Sequence, residues 1–193
     1  GYCHQDLFKY IKDCTVPTAG WDVIYEPENG YITPDGERVS RIYVELKNKH
    51  NTMNSSSTAD TYHEMENQIL EDDDCVCFVV QVIAKQSQNI KWTPKIDNRR
   101  KSHKRMRLVS IDQFLAIVTG EDDAFYQICK ALPPVLTSVF EELDSAVQPD
   151  DTVYDELIDL SNNCNEEDGI DLSDGLYQLA FPTYLGFEKN KEK

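Results

Sequence analysis

Glu45 and Lys47 stand two residues apart in RIYVELK, residues 41–47. On an extended strand that spacing puts a carboxylate and an ammonium on one face. A second carboxylate beside them would complete a set suited to phosphodiester hydrolysis. Two acidic side chains and the backbone carbonyl of Leu46 offer hard oxygens to Mg²⁺, or to Mn²⁺ as a substitute. Such a metal polarises a scissile phosphate and lowers the pKa of its bound water. A lysine beside it orients or deprotonates that water and offsets charge developing on the phosphorane. An Asp, then a carboxylate, then a lysine in chain order therefore suggests a metal-dependent nuclease. On residues alone the signal is weak, because Glu and Lys two apart are common on exposed strand faces.

Two aspartates compete for the first acidic position. Asp35 stands in Thr33-Pro34-Asp35-Gly36. Pro suits position i+1 of a type I turn, Asp tolerates i+2, and Gly suits a left-handed exit. A hairpin turning there puts Asp35 at its tip, about 30 Å along the strand from Glu45. Metal–oxygen distances of about 2.0–2.6 Å exclude sharing an ion over that span. Pairing the arms around the turn instead places Asp22 opposite Lys47 and within two residues of Glu45. Side chains alternate, so Asp22, Glu45 and Lys47 share a face at the open end of the hairpin. Asn29-Gly30 is a competing turn or bulge signal, and Pro27 interrupts the first arm. Asp22 is the expected acidic ligand and Asp35 a turn residue.

The elements that must hold these residues are legible in outline. CHQDLFKYIKD, residues 3–13, spaces Leu7, Phe8 and Ile11 for a short helix. WDVIYE and RIYVELK read as strands, the second alternating Ile42, Val44 and Leu46 against Tyr43, Glu45 and Lys47. Ser57 and Asp60 resemble a capping box ahead of a helix whose buried side carries Ala59, Tyr62, Met65, Ile69 and Leu70. CVCFVVQVIA is a continuous apolar run, expected as a central strand buried on both faces. MRLVSI is a further strand, Asp112 a cap for the helix DQFLAIVT, and Gly120 its end. One or two helices follow, interrupted near Pro133-Pro134. The fold class is α/β, a mixed central sheet flanked by helices, with the first two strands as a hairpin. One nuclease domain is expected over 1–193: a catalytic core over 1–118 and a helical, acidic C-terminal part over 119–193.

Composition sets further bounds. The 193 residues suffice for one domain with a substantial core. No apolar run is long enough to span a membrane and no signal-peptide pattern opens the chain, so a cytoplasmic protein is expected. Six cysteines, at 3, 14, 75, 77, 129 and 164, lack zinc-site spacing and read as free thiols in a reducing compartment. The net charge of −16 argues against nucleic acid on its face. Its distribution argues otherwise: Lys91, Lys95, Arg99, Arg100, Lys101, Lys104, Arg105 and Arg107 fall in one short segment, while no Lys or Arg occurs from Glu141 to Asp174. A local positive field can attract phosphate while another face is acidic.

A longer string sharpens the reading. VELKNKHNTMNSSS, residues 44–57, resembles the catalytic strand and following loop of a type II restriction endonuclease family in the PD-(D/E)xK superfamily. Members of that family cut GGNCC-type DNA sites. The resemblance continues in HQDL, GWDV, RMRLVSIDQF, VTGEDDAFYQICKALPPVL and LAFPTYLGF, covering nearly the whole chain in order. It implies the superfamily fold, Mg²⁺-dependent hydrolysis of both strands of double-stranded DNA, a homodimer and a place in a bacterial restriction-modification system. It puts the active-site strand on Glu45 and Lys47, with Asp22 as the preceding acidic ligand. The segment between Asp22 and Glu45 is long for the family.

Candidate DNA contacts follow from residue type. Lys49, His50, Asn51 and Asn54 come directly after the catalytic strand and suit base edges and phosphates. A polar loop satisfying its own backbone is the competing account, and His50 could also serve as a general base. Arg99, Arg100, Lys101, Lys104 and Arg105 would supply salt-dependent phosphate contacts. Gln81 either bonds near the site or satisfies a core neighbour, and Trp92 reads as packing. Two rivals to the restriction enzyme remain at this level: a DNA-binding protein without cleavage, and a repair or structure-specific nuclease of the same fold.

Overall fold

A mixed six-stranded sheet carries the first part of the chain. The computed structural model describes residues 6–50, 53–132, 177 and 179–187. The sheet runs β1 (Cys14–Thr15), β2 (Val23–Tyr25), β5 (Arg41–Lys49), β6 (Cys75–Ile83), β10 (Met106–Ser110) and β7 (Asn89–Lys91) in spatial order. The three central strands β5, β6 and β10 are parallel, and the edges join antiparallel. Two small hairpins stand apart from the sheet: β3 (Tyr31–Ile32) with β4 (Arg38–Val39), and β8 (Lys95–Ile96) with β9 (Arg99–Arg100). Helices α1 (Ser55–Glu71) and α2 (Ile111–Thr119) cover the sheet. The expected mixed α/β architecture is thus present.

Strand parity assigns the two faces. Cys75, Cys77 and Val79 of β6 join Trp21, Tyr62, Met65, Trp92 and Met106 in one core, with Ile24 and Tyr43 against it. Tyr62 and Met65 come from α1, so this is the α1 face. The alternate residue Phe78 packs on Phe114 of α2, which also meets Phe8. Residues 75–81 of β6 are buried throughout, as expected for a strand covered on both sides. The Trp21 indole N–H donates to the Gln68 side chain at 2.8 Å, pinning α1 over the chain leading into β2.

The turn at residues 33–36 forms as the residue types require. The Gly36 N–H donates to the Thr33 carbonyl at 2.8 Å, and Gly36 takes φ +84°. The hairpin base is in a different register from its tip. Tyr31 faces Val39 near the tip, yet Val23 faces Val44 in the sheet. Residues 27–30 take up the difference in a second turn, with the Gly30 N–H donating to the Pro27 carbonyl. Gly30 sits at φ +68°, and a Cβ there would lie 2.8 Å from the Val39 carbonyl oxygen, so only glycine fits without a shift.

Several local expectations are corrected. The cap of α1 is Asn54, not Ser57: its side-chain oxygen accepts from the Ser57 N–H at 2.8 Å. Leu70 is exposed, because it lies about 100° around the helix from Ile69, which does pack inward. Ser110 holds the N-cap position of α2, while Asp112 is buried in the first turn and accepts from the Ser87 hydroxyl. Gly120 ends α2 in the left-handed conformation, as expected. Among the described residues 6–13, a helical turn spans 6–8, and β1 follows.

The chain divides into two compact units, Gly1–Asp122 and Asp123–Lys193. Within the second, residues 124–132 are helical, and Phe125 and Tyr126 pack with Phe181, Tyr184 and Phe187. The Pro133-Pro134 interruption and the acidic stretch 141–174 lie outside the described residues. Cys14, Cys75, Cys77 and Cys129 are free thiols; Cys3 and Cys164 lie outside the described residues. No helix among the described residues is long and apolar enough to cross a membrane.

Candidate active site

The β2–β5 register decides what meets Glu45. Val23 faces Val44, so one further step brings Asp22 level with Glu45 rather than with Lys47. The shift from the expected pairing is two residues, an even number, and therefore leaves every side chain on its expected face. Asp22, Glu45 and Lys47 share the α1 face. The Asp22 N–H donates to the Val44 carbonyl at 3.0 Å, and the Asp22 carboxylate accepts from the Leu46 N–H at 2.7 Å. A strand residue directs its N–H and C=O to the same side, so the Leu46 carbonyl opens on the edge where Asp22 sits.

The Lys47 ammonium donates to the Glu45 carboxylate at 2.6 Å, and both side chains are largely buried. Burial holds the Glu45 carboxyl above the usual glutamate range. The Lys47 hydrogen bond and charge oppose that shift, while Asp22 and Glu64 reinforce it. Burial therefore outweighs the adjacent lysine. Glu64 comes from α1, and the sequence reading missed it. Its signal was a position one residue before the buried Met65, at the margin of the buried side of that helix.

The donor chemistry suits a hard divalent cation. Two carboxylates and a peptide carbonyl meet at one strand edge, and oxygen is the ligand that Mg²⁺ and Mn²⁺ prefer. Among the described residues no three His, Cys, Asp or Glu side chains already converge on one point. Such a site would be open, with water and substrate oxygens supplying the remaining positions, as is usual for Mg²⁺.

Asp35 is elsewhere. Its carboxylate pairs with the buried Arg107 at 3.1 Å and with Lys91 at 3.4 Å. Arg107 also donates to the Asn89 side chain and backbone. The Pro34-Asp35 pair thus anchors the β3–β4 tip to strands β10 and β7.

The basic segment separates into two groups. Lys104 and Arg105 both pair with Glu37, and Arg105 also donates to the Asp73 carbonyl. They precede β10, whereas Glu45 and Lys47 lie toward the far end of the parallel strand β5. Arg99 and Arg100 lie exposed on β9, and Arg100 faces Lys95. Among the described residues the side chains of Lys95, Arg99 and Arg100 have no ion-pair partner. The Lys101 ammonium lies 5.4 Å from the centre of the Tyr62 ring.

A cleft of about 280 Å³ opens beside the end of β5. His50, Asn54, Gln81 and Lys95 line it, with Trp92 and Leu108. His50 follows β5 directly and its N–H donates to the Ile83 carbonyl. Asn54 spends its side-chain oxygen on capping α1 and keeps its NH₂. Trp92 is buried against Tyr62, as packing predicts. Lys49 ends β5 and is exposed. Asn51 lies outside the described residues.

The chain is similar to known proteins. The family model described as Eco47II restriction endonuclease matches residues 1–141. The type II restriction enzyme Sau96I of Staphylococcus aureus is 35% identical over 149 residues, which cover 73% of this chain and 53% of that enzyme. The chain thus spans about half the length of this curated relative. No solved structure matches. The family match spans most of the chain and includes β2, β5 and the whole candidate site, so the chain belongs to the Eco47II restriction endonuclease family.

Proposed function

We propose that the chain is a type II restriction endonuclease that hydrolyses double-stranded DNA at a short specific site. The observation that carries this is the placement of Asp22 beside Glu45 and Lys47, on one face at the same level of the sheet. Asp22, Glu45 and the Leu46 carbonyl would hold Mg²⁺, or Mn²⁺ in its place. Bound there, the ion would supply a Lewis acid for the phosphate and a more acidic water. Lys47 orients the attacking water and offsets charge on the phosphorane. Asp22 is held in place by the Leu46 N–H. Glu45 is held by Lys47, whose ammonium would gain a free hydrogen bond were a cation to take the carboxylate.

Lys49, His50 and Asn54 lie at the end of that strand and beyond it, and Asn51 belongs to the same stretch of sequence. With Arg99, Arg100 and Lys101 they form the DNA-facing set. Lys104 and Arg105 contribute less, being held by Glu37. Cutting both strands requires two such sites, which a homodimer supplies, and the setting is the bacterial cytoplasm.

Digestion of a long phage DNA tests the proposal. Discrete fragments with Mg²⁺ and none with EDTA are expected, and their mapped ends give the site. A smear or simple nicking would favour a non-specific or structure-specific nuclease. DNA binding without any product would favour a binding protein.

A further inference from the structure

We infer that Gln81 is a specificity-determining residue whose carboxamide reads a nucleobase edge in the cleft beside the catalytic strand. The inference rests on the proposed restriction activity. Gln81 faces Lys47 across the parallel β5–β6 ladder. Neighbouring strands lie about 4.8 Å apart, so the carboxamide starts one strand away from Lys47. It is 7% exposed, yet it lines the cleft. Among the described residues neither its nitrogen nor its oxygen has a hydrogen-bond partner. Its carboxamide atoms reach the cleft, since neither is among the fully buried side-chain polar atoms of the described residues that lack a hydrogen bond. An unused donor and acceptor thus face the space a ligand would fill. Apolar packing would be served better at this point by a residue such as Val79, which precedes Gln81 on the same face of β6.

The lining of the cleft distinguishes a base from a phosphate. Trp92 and Leu108 give it apolar walls, and Gln81 offers an acceptor as well as donors. A phosphate accepts only, and would meet the Gln81 oxygen unfavourably. A base edge presents both donors and acceptors between flat apolar faces. Asn54, with its NH₂ free, and Lys95 add donors at the rim.

The test compares wild type with Gln81→Leu, and with Gln81→Met should the branched side chain prevent folding. Duplexes carrying the site mapped from phage fragments, and each of its single-base-pair variants, are cleaved in parallel. The variant is expected to lose about 10–100-fold of discrimination at one base-pair position and to keep it at the others. Its dependence on Mg²⁺ concentration should not change. Discrimination retained at every position, with or without a uniformly slower rate, overturns the inference. A wild type that cuts no phage DNA overturns the proposed function instead, and the Gln81 assignment with it.

Discussion

The Asp22 carboxylate accepts a hydrogen bond from the Leu46 N–H at 2.7 Å. This contact ties the end of one hairpin arm to the centre of β5, between Glu45 and Lys47. It sets Asp22 beside that candidate pair, whereas Asp35 pairs with Arg107.

Lys47→Ala should lower cleavage by about 10²–10⁴-fold, the range for a positioned proton-transfer or charge-stabilising group. Its fold should survive, because among the described residues the side chain bonds only Glu45. Single-turnover cleavage and a thermal melt check both parts. Near wild-type cleavage would remove the lysine from the mechanism.

Proton and cation compete for Glu45. Burial first, and then the charges of Asp22 and Glu64, hold its carboxyl above the usual range. Mg²⁺ affinity should therefore rise with pH through a midpoint above that of an ordinary glutamate, about 4.3. Glu64→Gln removes one negative charge and should move the midpoint down. Calorimetric titrations across pH read this directly, and an unmoved midpoint would exclude Glu64 from the site's electrostatics.

Glu37 lends itself to a stability test. Hydrogen bonds from Arg105 and then Lys104 hold its carboxyl below the usual range. A depressed carboxylate stabilises the fold fully above its unfolded pKa, and that contribution is lost as pH falls through the lower folded value. Glu37→Gln should lower Tm by roughly 2–4 °C at pH 7. The gap from wild type should close below about pH 4. A gap of constant size across that range would mean that the charge is not what matters.

The two basic groups should separate in salt titrations. Arg99→Ala and Arg100→Ala should weaken DNA binding evenly across sequences, each reducing the salt slope by about one. Lys104→Ala should leave the slope alone, because its ammonium already faces Glu37 at 3.1 Å. Equal slopes in all three variants would refute this division.

Much of the site was legible because alternation on a strand depends only on residue order. Ile42 and Val44 against Glu45 and Lys47 fixes a face without knowledge of the partner strand. The exact pairing was hidden, since the turn at 27–30 absorbs residues only through the left-handed Gly30 packed on Val39. Because the error was even, Asp22 remained on the right face. The partners of the basic run were hidden for another reason. Its clustering is local, whereas Asp35 and Glu37, which hold Arg107 and Arg105, lie about seventy residues earlier. Strands β1, β3, β4, β7, β8 and β9 span two or three residues each, too short to show a period. Gln81 lay inside an apolar run that predicted burial correctly but said nothing of an unused carboxamide.

The most direct test compares Asp22→Asn with Asp35→Asn on one DNA substrate. Single-turnover rates at saturating Mg²⁺ would be measured, with thermal melts to confirm that both variants fold. Asp22→Asn should fall by about 10²-fold or more, while Asp35→Asn stays within a few-fold of wild type, its carboxamide oxygen still accepting from Arg107. A well-folded Asp22→Asn that cuts like wild type, with Asp35→Asn inactive, would contradict the site described here.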